Sequence, residues 1–126
     1  MTSAPTVARA PAGATLPEDR QSEAIATYNH VLARLRAARV AADARDDELR
    51  DVSLTEARLA LAELIAVLDT RKGDEVARDL GRIFHAILGE LSDLGDRPEG
   101  ARVSASASVL AQLRDSFVVV LRHAAH

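Results

Sequence analysis

Histidine is the side chain in this 126-residue sequence best suited to chemistry near neutral pH. There are four: His30, His85, His123 and His126. His30 with Arg34, or His85 with Gly89, loosely matches a phosphotransfer helix, in which an exposed histidine has basic and small neighbours. His123 and His126 are close in sequence, but two imidazoles without a nearby carboxylate or thiolate make a weak metal site. Phosphotransfer through His30 or His85 therefore stays open as an alternative, and no metal site is predicted.

Other catalytic patterns are missing from the sequence. It has no cysteine, which removes thiolate catalysis, disulfides and cysteine metal sites together. No serine has a partnering histidine at helical spacing, and neither a nucleophile elbow nor a glycine-rich phosphate loop occurs. The Glu-x-x-His spacing of di-iron bundles is also missing. The sequence predicts a protein that is not an enzyme, with no catalytic residue and no cofactor.

Charge and hydropathy limit the possible partners and location. The formal net charge is −3, and basic residues are scattered among acidic ones, whereas nucleic acid requires a concentrated basic surface. The first sixteen residues lack the continuous apolar core of a signal peptide. No apolar run approaches the roughly 20 residues that span a bilayer. We therefore expect a cytoplasmic protein without nucleic-acid partners or membrane insertion.

The composition favours helices in one domain. Apolar residues make up 48% of the chain but aromatic residues only 2%, so the core must come from leucine, isoleucine, valine and alanine. The opening stretch instead contains Pro5, Pro11, Gly13 and Pro17, which neither hold a helix nor bury much apolar area. We predict a flexible arm over residues 1–17, disordered or loosely docked, followed by a helical domain over residues 18–126.

Apolar spacing predicts two helices in the first half of the domain. Ile25, Tyr28, Leu32 and Leu35 follow the rhythm of an amphipathic helix, which predicts helix one over about residues 18–44. An acidic stretch over residues 46–51 interrupts that pattern. Ser53 and Glu56 then match a capping box, so helix two is expected to begin there and end near residue 70.

Two glycine turns divide the second half. Gly73 can take a positive φ and closes helix two, so helix three is expected over about residues 74–94. The stretch 95–100, rich in glycine and proline, is the clearest turn, and helix four follows over about residues 101–124. No alternating strand pattern appears. Short connections favour antiparallel neighbours, so we predict an all-α, up-and-down four-helix bundle.

The predicted helices carry more apolar surface than a closed bundle needs. Residues 117–121 of helix four are all apolar and so surround its axis. Val119, Leu59 and Val40 point away from the apolar faces of their helices. Such surplus predicts a groove filled by another polypeptide. The same surface suits a self-associating structural bundle or covering by the chain's own arm, and these alternatives stay open here.

The segment LDTRKGDEVARDLGRIFHAILGEL, residues 68–91, resembles the third-helix region of the flagellar export chaperone family FliS. The matching residues are Leu68, Asp69, Gly73, Glu75, Val76, Ala77, Leu80, Ile83, Phe84 and Leu91. Tyr28 resembles the tyrosine of the family's first helix, and Arg114 with Phe117 resembles its last helix. Departures from the family pattern are Asn29-His30 after the tyrosine and Ala86 in place of a second aromatic residue. The resemblance covers about residues 17–121.

The resemblance implies a function. FliS chaperones hold the disordered C-terminal segment of flagellin in hydrophobic grooves, which prevents premature polymerisation and aids delivery to the flagellar export apparatus. It therefore implies flagellin and the flagellar export gate as partners of a monomer or weak homo-oligomer. The candidate groove residues are Leu61, Leu64, Leu68, Ile83, Phe84, Ile87, Val118 and Val119. A histidine phosphotransfer or other signalling bundle, and a self-associating structural bundle, remain the alternatives.

Overall fold

The computed structural model describes residues 16–94 and 100–123. Within these ranges the chain forms four helices and no strand: α1 (Glu18–Asp43), α2 (Asp47–Asp69), α3 (Glu75–Asp93) and α4 (Gly100–Arg122). The all-α prediction is confirmed, and three of the four helices begin within a residue of their predicted starts. The predicted turn before α4 lies largely outside the described residues, as does most of the predicted arm. Of that arm, Leu16 packs against the core, and Pro17 directly precedes α1.

The helices form an antiparallel bundle in which each contacts two neighbours. The α1–α2 interface is the most extensive, α1–α4 and α2–α3 are intermediate, and α3–α4 is the smallest. In the middle of α1, Asn29 contacts Arg114 in the second half of α4, while Asp43 at the end of α1 lies beside Gly100 at the start of α4. These contacts fix α1 and α4 as antiparallel. The predicted up-and-down four-helix bundle is confirmed.

All three aromatic residues of the chain meet in one cluster, which joins three helices. The Tyr28 ring centroid lies 5.8 Å from that of Phe84 and 5.0 Å from that of Phe117, within the range of favourable aromatic pairs. The Tyr28 hydroxyl donates a 2.6 Å hydrogen bond to the backbone carbonyl of Leu110. Burial raises the pKa of the Tyr28 phenol well above its ordinary value, and the Arg114 guanidinium opposes this only in part.

The α1–α2 turn is short because both of its ends are satisfied by local hydrogen bonds. Arg45 adopts a φ of 58°, and the N–H groups of Arg45 and Asp46 donate to the carbonyls of Ala42 and Ala41. This is a Schellman ending with arginine at the position that glycine usually takes. The Asp46 carboxylate then accepts from the Leu49 N–H at 3.1 Å and caps α2.

The predicted capping box at the start of helix two is wrong. Asp46 is the N-cap, so Asp47 and Glu48 lie in the first turn of α2, where the helix dipole favours them. Ser53 lies inside the helix, is fully buried, and its hydroxyl has no hydrogen-bond partner among the described residues. Both serine and aspartate can cap a helix, and the tight turn after α1 decides in favour of the aspartate.

The α2–α3 turn follows the prediction. Gly73 has a φ of 86°, the left-handed region that glycine enters without steric cost. The Asp74 carboxylate accepts from the Ala77 N–H at 3.0 Å and caps α3. The side chain of Arg71, in the same turn, is buried and donates to the backbone carbonyl of His123. The turn is thereby tied to the C-terminal end of α4.

Replacing Tyr28 with phenylalanine keeps the ring cluster and removes the hydrogen bond to Leu110. We expect the free energy of unfolding to fall by about 0.5–1.5 kcal/mol, the net value of one such bond. Urea unfolding followed by circular dichroism measures the change. Val119→Ala, which changes an exposed side chain, is the control and should have a smaller effect. An unchanged midpoint for Tyr28→Phe would contradict the role of the hydroxyl.

Alkaline pH should destabilise the fold through the same residue. The phenol has a raised pKa in the folded state, so its contribution to stability is complete below the unfolded pKa of about 10 and is lost as pH rises above it. Tyr28 is the only tyrosine, so ultraviolet absorbance follows its ionisation alone. We expect tyrosinate to appear together with loss of the helical signal. Ionisation near pH 10 with an intact helical signal would contradict burial of the hydroxyl.

The sign of the Ser53→Ala effect separates the two possible starts of α2. A buried hydroxyl without a partner is costly, and alanine has the higher helix propensity, so we expect unchanged or increased stability. Asp46→Ala removes the observed cap and should lower the free energy of unfolding by about 0.5–2 kcal/mol. Thermal and urea unfolding of both variants provide the measurement. A loss at Ser53 with none at Asp46 would restore the capping box.

Candidate peptide-binding surface

The structure divides the predicted groove residues into a buried set and an accessible set. The buried residues are Leu61, Leu64, Leu68, Phe84 and Ile87. The accessible residues are Ile83 and Val119, which are exposed, and Val118, which is half-buried. The buried set belongs to the core that holds the helices together. Its members contact a partner directly only if the bundle opens, whereas the accessible set is open to a partner in the closed bundle.

The residues predicted to point away from the core do so. Val40, Leu59 and Val119 are exposed, with Val119 retaining 56% of its accessible surface. In the predicted apolar run of α4, Phe117, Val120 and Leu121 are buried, whereas Val118 and Val119 are not. The prediction of surplus apolar surface is confirmed for the described part of the chain.

Helix α4 is the most apolar helix of the described chain. Among the described residues it is the helix that is long and apolar enough to cross a membrane by length and composition, yet only 28% of that apolar window is buried. Core helices of soluble proteins pass the same test. The helix passes because small alanines and serines separate its large apolar side chains without adding charge, although no uninterrupted apolar run of that length is present. We call the exposed, uncharged residues Ala105, Val109, Gln112, Ser116 and Val119 the α4 face.

An open groove runs beside the α4 face between α1 and α4. It encloses about 300 Å³. Its lining residues are Leu32, Leu35, Arg36 and Arg39 on α1, with Ser104, Ala107, Ser108 and Ala111 on α4. The α4 side chains are all small, so the wall is shallow; on α1, Leu32 is half-buried and Leu35 is fully buried at the base of the groove. Half-buried Val118 lies farther along the same flank of α4, by the rotation of about 100° per residue.

The α3–α4 seam borders the other side of the α4 face. At heptad spacing, Val76 and Ile83 share a flank of α3 with Glu90, and Val109 shares a flank of α4 with Arg102. The Arg102 guanidinium donates to the Glu90 carboxylate, so these flanks face each other. Val76, Ile83 and Val109 are nevertheless exposed, in keeping with the smallest helix interface of the bundle. Sequence reasoning missed Val109, although the heptad spacing to Arg102 is visible in the sequence.

A comparison with known protein families identifies the family of this chain. The family described as "FliS: Flagellar protein FliS" matches residues 15–124, which include all four described helices. The chain belongs to the FliS family. A search of curated proteins and a search of solved structures found no match. FliS proteins are soluble flagellar export chaperones rather than enzymes, and in general they bind partners of the flagellin type.

The FliS-like residues of the first and last helices meet in the fold. The hydroxyl of Tyr28 reaches the Leu110 carbonyl, and the Arg114 guanidinium donates to the side-chain oxygen of Asn29 at 2.9 Å. These contacts fasten α1 to α4 beside the groove between them. The FliS-like residues of these two helices therefore position the candidate surface and do not themselves form it.

The histidines of the phosphotransfer alternative are separate and exposed. His30 lies in a shallow depression between α1 and α2 beside Glu56 and Glu63, and His85 lies on the α2-facing flank of α3. His126 lies outside the described residues. Within the described ranges, no group of three or more histidine, aspartate or glutamate side chains is placed to hold a metal ion. Membership of the FliS family favours the chaperone over the phosphotransfer protein.

Proposed function

We propose that this FliS-family chain is a cytoplasmic export chaperone that holds the disordered C-terminal segment of flagellin on the α4 face and in the two adjoining grooves. Binding there prevents premature polymerisation and aids delivery of flagellin to the export apparatus. The observation that carries the proposal is the exposure of α4, the most apolar helix of the bundle, along most of its length. Family membership supplies the class of cargo.

The dimensions and chemistry of the surface suit an amphipathic helix. The α4 face runs from Ala105 to Val119, about 21 Å at about 1.5 Å per residue, along a helix of 23 residues. Between Arg102 and Arg122, Arg114 and Asp115 are the charged residues of α4, and both lie outside the α4 face as defined above. A segment that folds on binding typically buries on the order of 1,000–3,000 Å², and its ordering costs at least about 2–5 kcal/mol. The net affinity is therefore moderate, and release remains possible.

The accessible predicted residues take the direct contacts in this proposal. Ile83 lies in the α3–α4 seam, Val119 on the α4 face, and Val118 along the α1–α4 groove, so a cargo helix could touch all three by covering α4. Val109, on the edge of the α4 face that borders the seam, is a fourth contact residue. The buried candidates Leu61, Leu64, Leu68, Phe84 and Ile87 support the surface from beneath. A charge at Phe84 would unfold the bundle and would not test binding, because that side chain is fully buried.

A charge on the α4 face should weaken binding of flagellin. We expect Val119→Glu and Val109→Glu to raise the Kd for the C-terminal flagellin segment at least about tenfold, because each removes apolar burial and desolvates a carboxylate. Calorimetric titration measures the Kd, and the ligand-dependent rise in Tm provides an independent readout.

Val52→Glu is the matched control, since Val52 is a comparably exposed valine on α2, the helix diagonal to α4. Its Kd should stay within about twofold of the unmodified protein. Equal losses at Val52 and Val119 would contradict the placement on α4, and no binding of any flagellin fragment would end the proposal. Sedimentation at several concentrations separates a lost cargo contact from a lost homodimer, the competing use of this face.

A further inference from the structure

A second cavity lies at the turn between α2 and α3, away from the α4 face. It encloses about 420 Å³, a size suited to the end of a peptide. Its apolar floor is formed by Leu68, Ala77 and Gly81. Most of the remaining lining residues are basic: Arg71, Lys72, Arg78, Arg82 and His85. An apolar floor beneath a cationic rim is complementary to a ligand that has both an aliphatic part and an anionic group.

The lining has fewer acidic residues than arginine and lysine residues, so its rim keeps a net positive charge. The Asp74 carboxylate is engaged in capping α3, and Asp69 is the other acid in the lining. Arg82 lies 3.5 Å from Asp79, in a pair that is open to solvent and therefore weak. The side chains of Lys72 and Arg78 have no ion pair or hydrogen bond within the described ranges. The rim thus has at least two cations with donors to offer an anion.

The cavity also has room for that anion above α3. A Cβ atom added at Gly81 would meet no atom within 4 Å, although this residue is buried at the base of the cavity. Arg78 and Arg82 are one helical turn apart on the same side of α3, on either side of Gly81 in sequence. The end of a peptide placed at Gly81 would lie near the guanidinium groups of Arg78 and Arg82. Its last side chain would then cover Leu68 and Ala77.

We propose that this cavity receives the free C-terminal carboxylate of the bound flagellin segment. The inference rests on the proposed function. A peptide terminus matches both parts of the site, since its carboxylate takes paired donors from an arginine and its last side chains cover the apolar floor. An inorganic anion would use the rim alone. The contact of Arg71 with the His123 carbonyl places the cavity at the same end of the bundle as the end of α4, so a segment leaving the α4 face there has a short path to it.

Amidation of the peptide terminus tests the carboxylate directly. We expect the amidated C-terminal flagellin segment to bind the unmodified protein roughly tenfold more weakly than the free acid, the change expected from losing a charge-assisted hydrogen bond. For Arg78→Ala the free acid should bind as weakly as the amide binds the unmodified protein, and amidation should add little. Calorimetric titration of the four combinations gives the coupling between the two changes.

Two further variants separate the site from general electrostatics. Arg20→Ala removes the same charge at the same end of the bundle, on α1, and should keep the preference for the free acid. Gly81→Leu fills the cavity without changing any charge and should abolish the preference, with circular dichroism confirming the fold. Retained preference in Gly81→Leu would overturn the proposal.

The remaining outcomes distinguish this inference from the proposed function. Equal binding of acid and amide by the unmodified protein would overturn the carboxylate site and leave flagellin binding intact. Binding of neither peptide would remove the proposed function itself. Inorganic phosphate and acetate form separate arms of the experiment. If either anion abolishes the preference for the free acid over the amide, the cavity is a general anion site, and the assignment to a peptide terminus is wrong.

Discussion

The packing of Tyr28 is the contact on which the arrangement of the bundle depends. Its ring touches Phe84 on α3 and Phe117 on α4, and its hydroxyl bonds to the Leu110 carbonyl. The ring therefore joins α1 to its diagonal partner α3 as well as to its neighbour α4. The chain has no other aromatic residues, so aliphatic side chains and alanines fill the rest of the core. A core of that kind specifies shape weakly, so directional contacts such as the Tyr28–Leu110 and Arg114–Asn29 hydrogen bonds set how α1 lies on α4.

The fixed position of α4 explains its exposed apolar face. One side of α4 supplies Leu110, Phe117 and Leu121 to the core, and no further described helix covers the other side. The exposed residues of the α4 face are alanine, valine, serine and glutamine rather than large aromatic residues. Each such residue gains little on burial, so strong association requires a partner that covers many of them together. A surface of this kind suits an extended cargo segment that must later be released.

The two ends of the bundle differ in charge. The α1–α2 turn leads into acidic residues 46–48, which cap and stabilise the start of α2. The opposite end contains the α2–α3 turn, where Arg71 ties the turn to α4 and a basic rim surrounds an apolar cavity. A cargo segment carrying charge along its length therefore meets a different potential at each end. In the proposed function, this asymmetry would favour one direction of binding over the reverse.

The sequence by itself determined the helices, the all-α bundle and the surplus apolar surface, because side-chain direction follows from helical periodicity. Gly73, Val40, Leu59 and Val119 were placed correctly for that local reason. The same local reasoning wrongly predicted Ser53 as the cap of helix two, because serine and aspartate both satisfy an N–H and only the hydrogen bonds at the end of α1 show that Asp46 is the cap. Tertiary structure alone separated the accessible Ile83 and Val119 from the buried Leu61 and Phe84. Periodicity gives the direction of a side chain, whereas its burial depends on whether another helix lies in that direction.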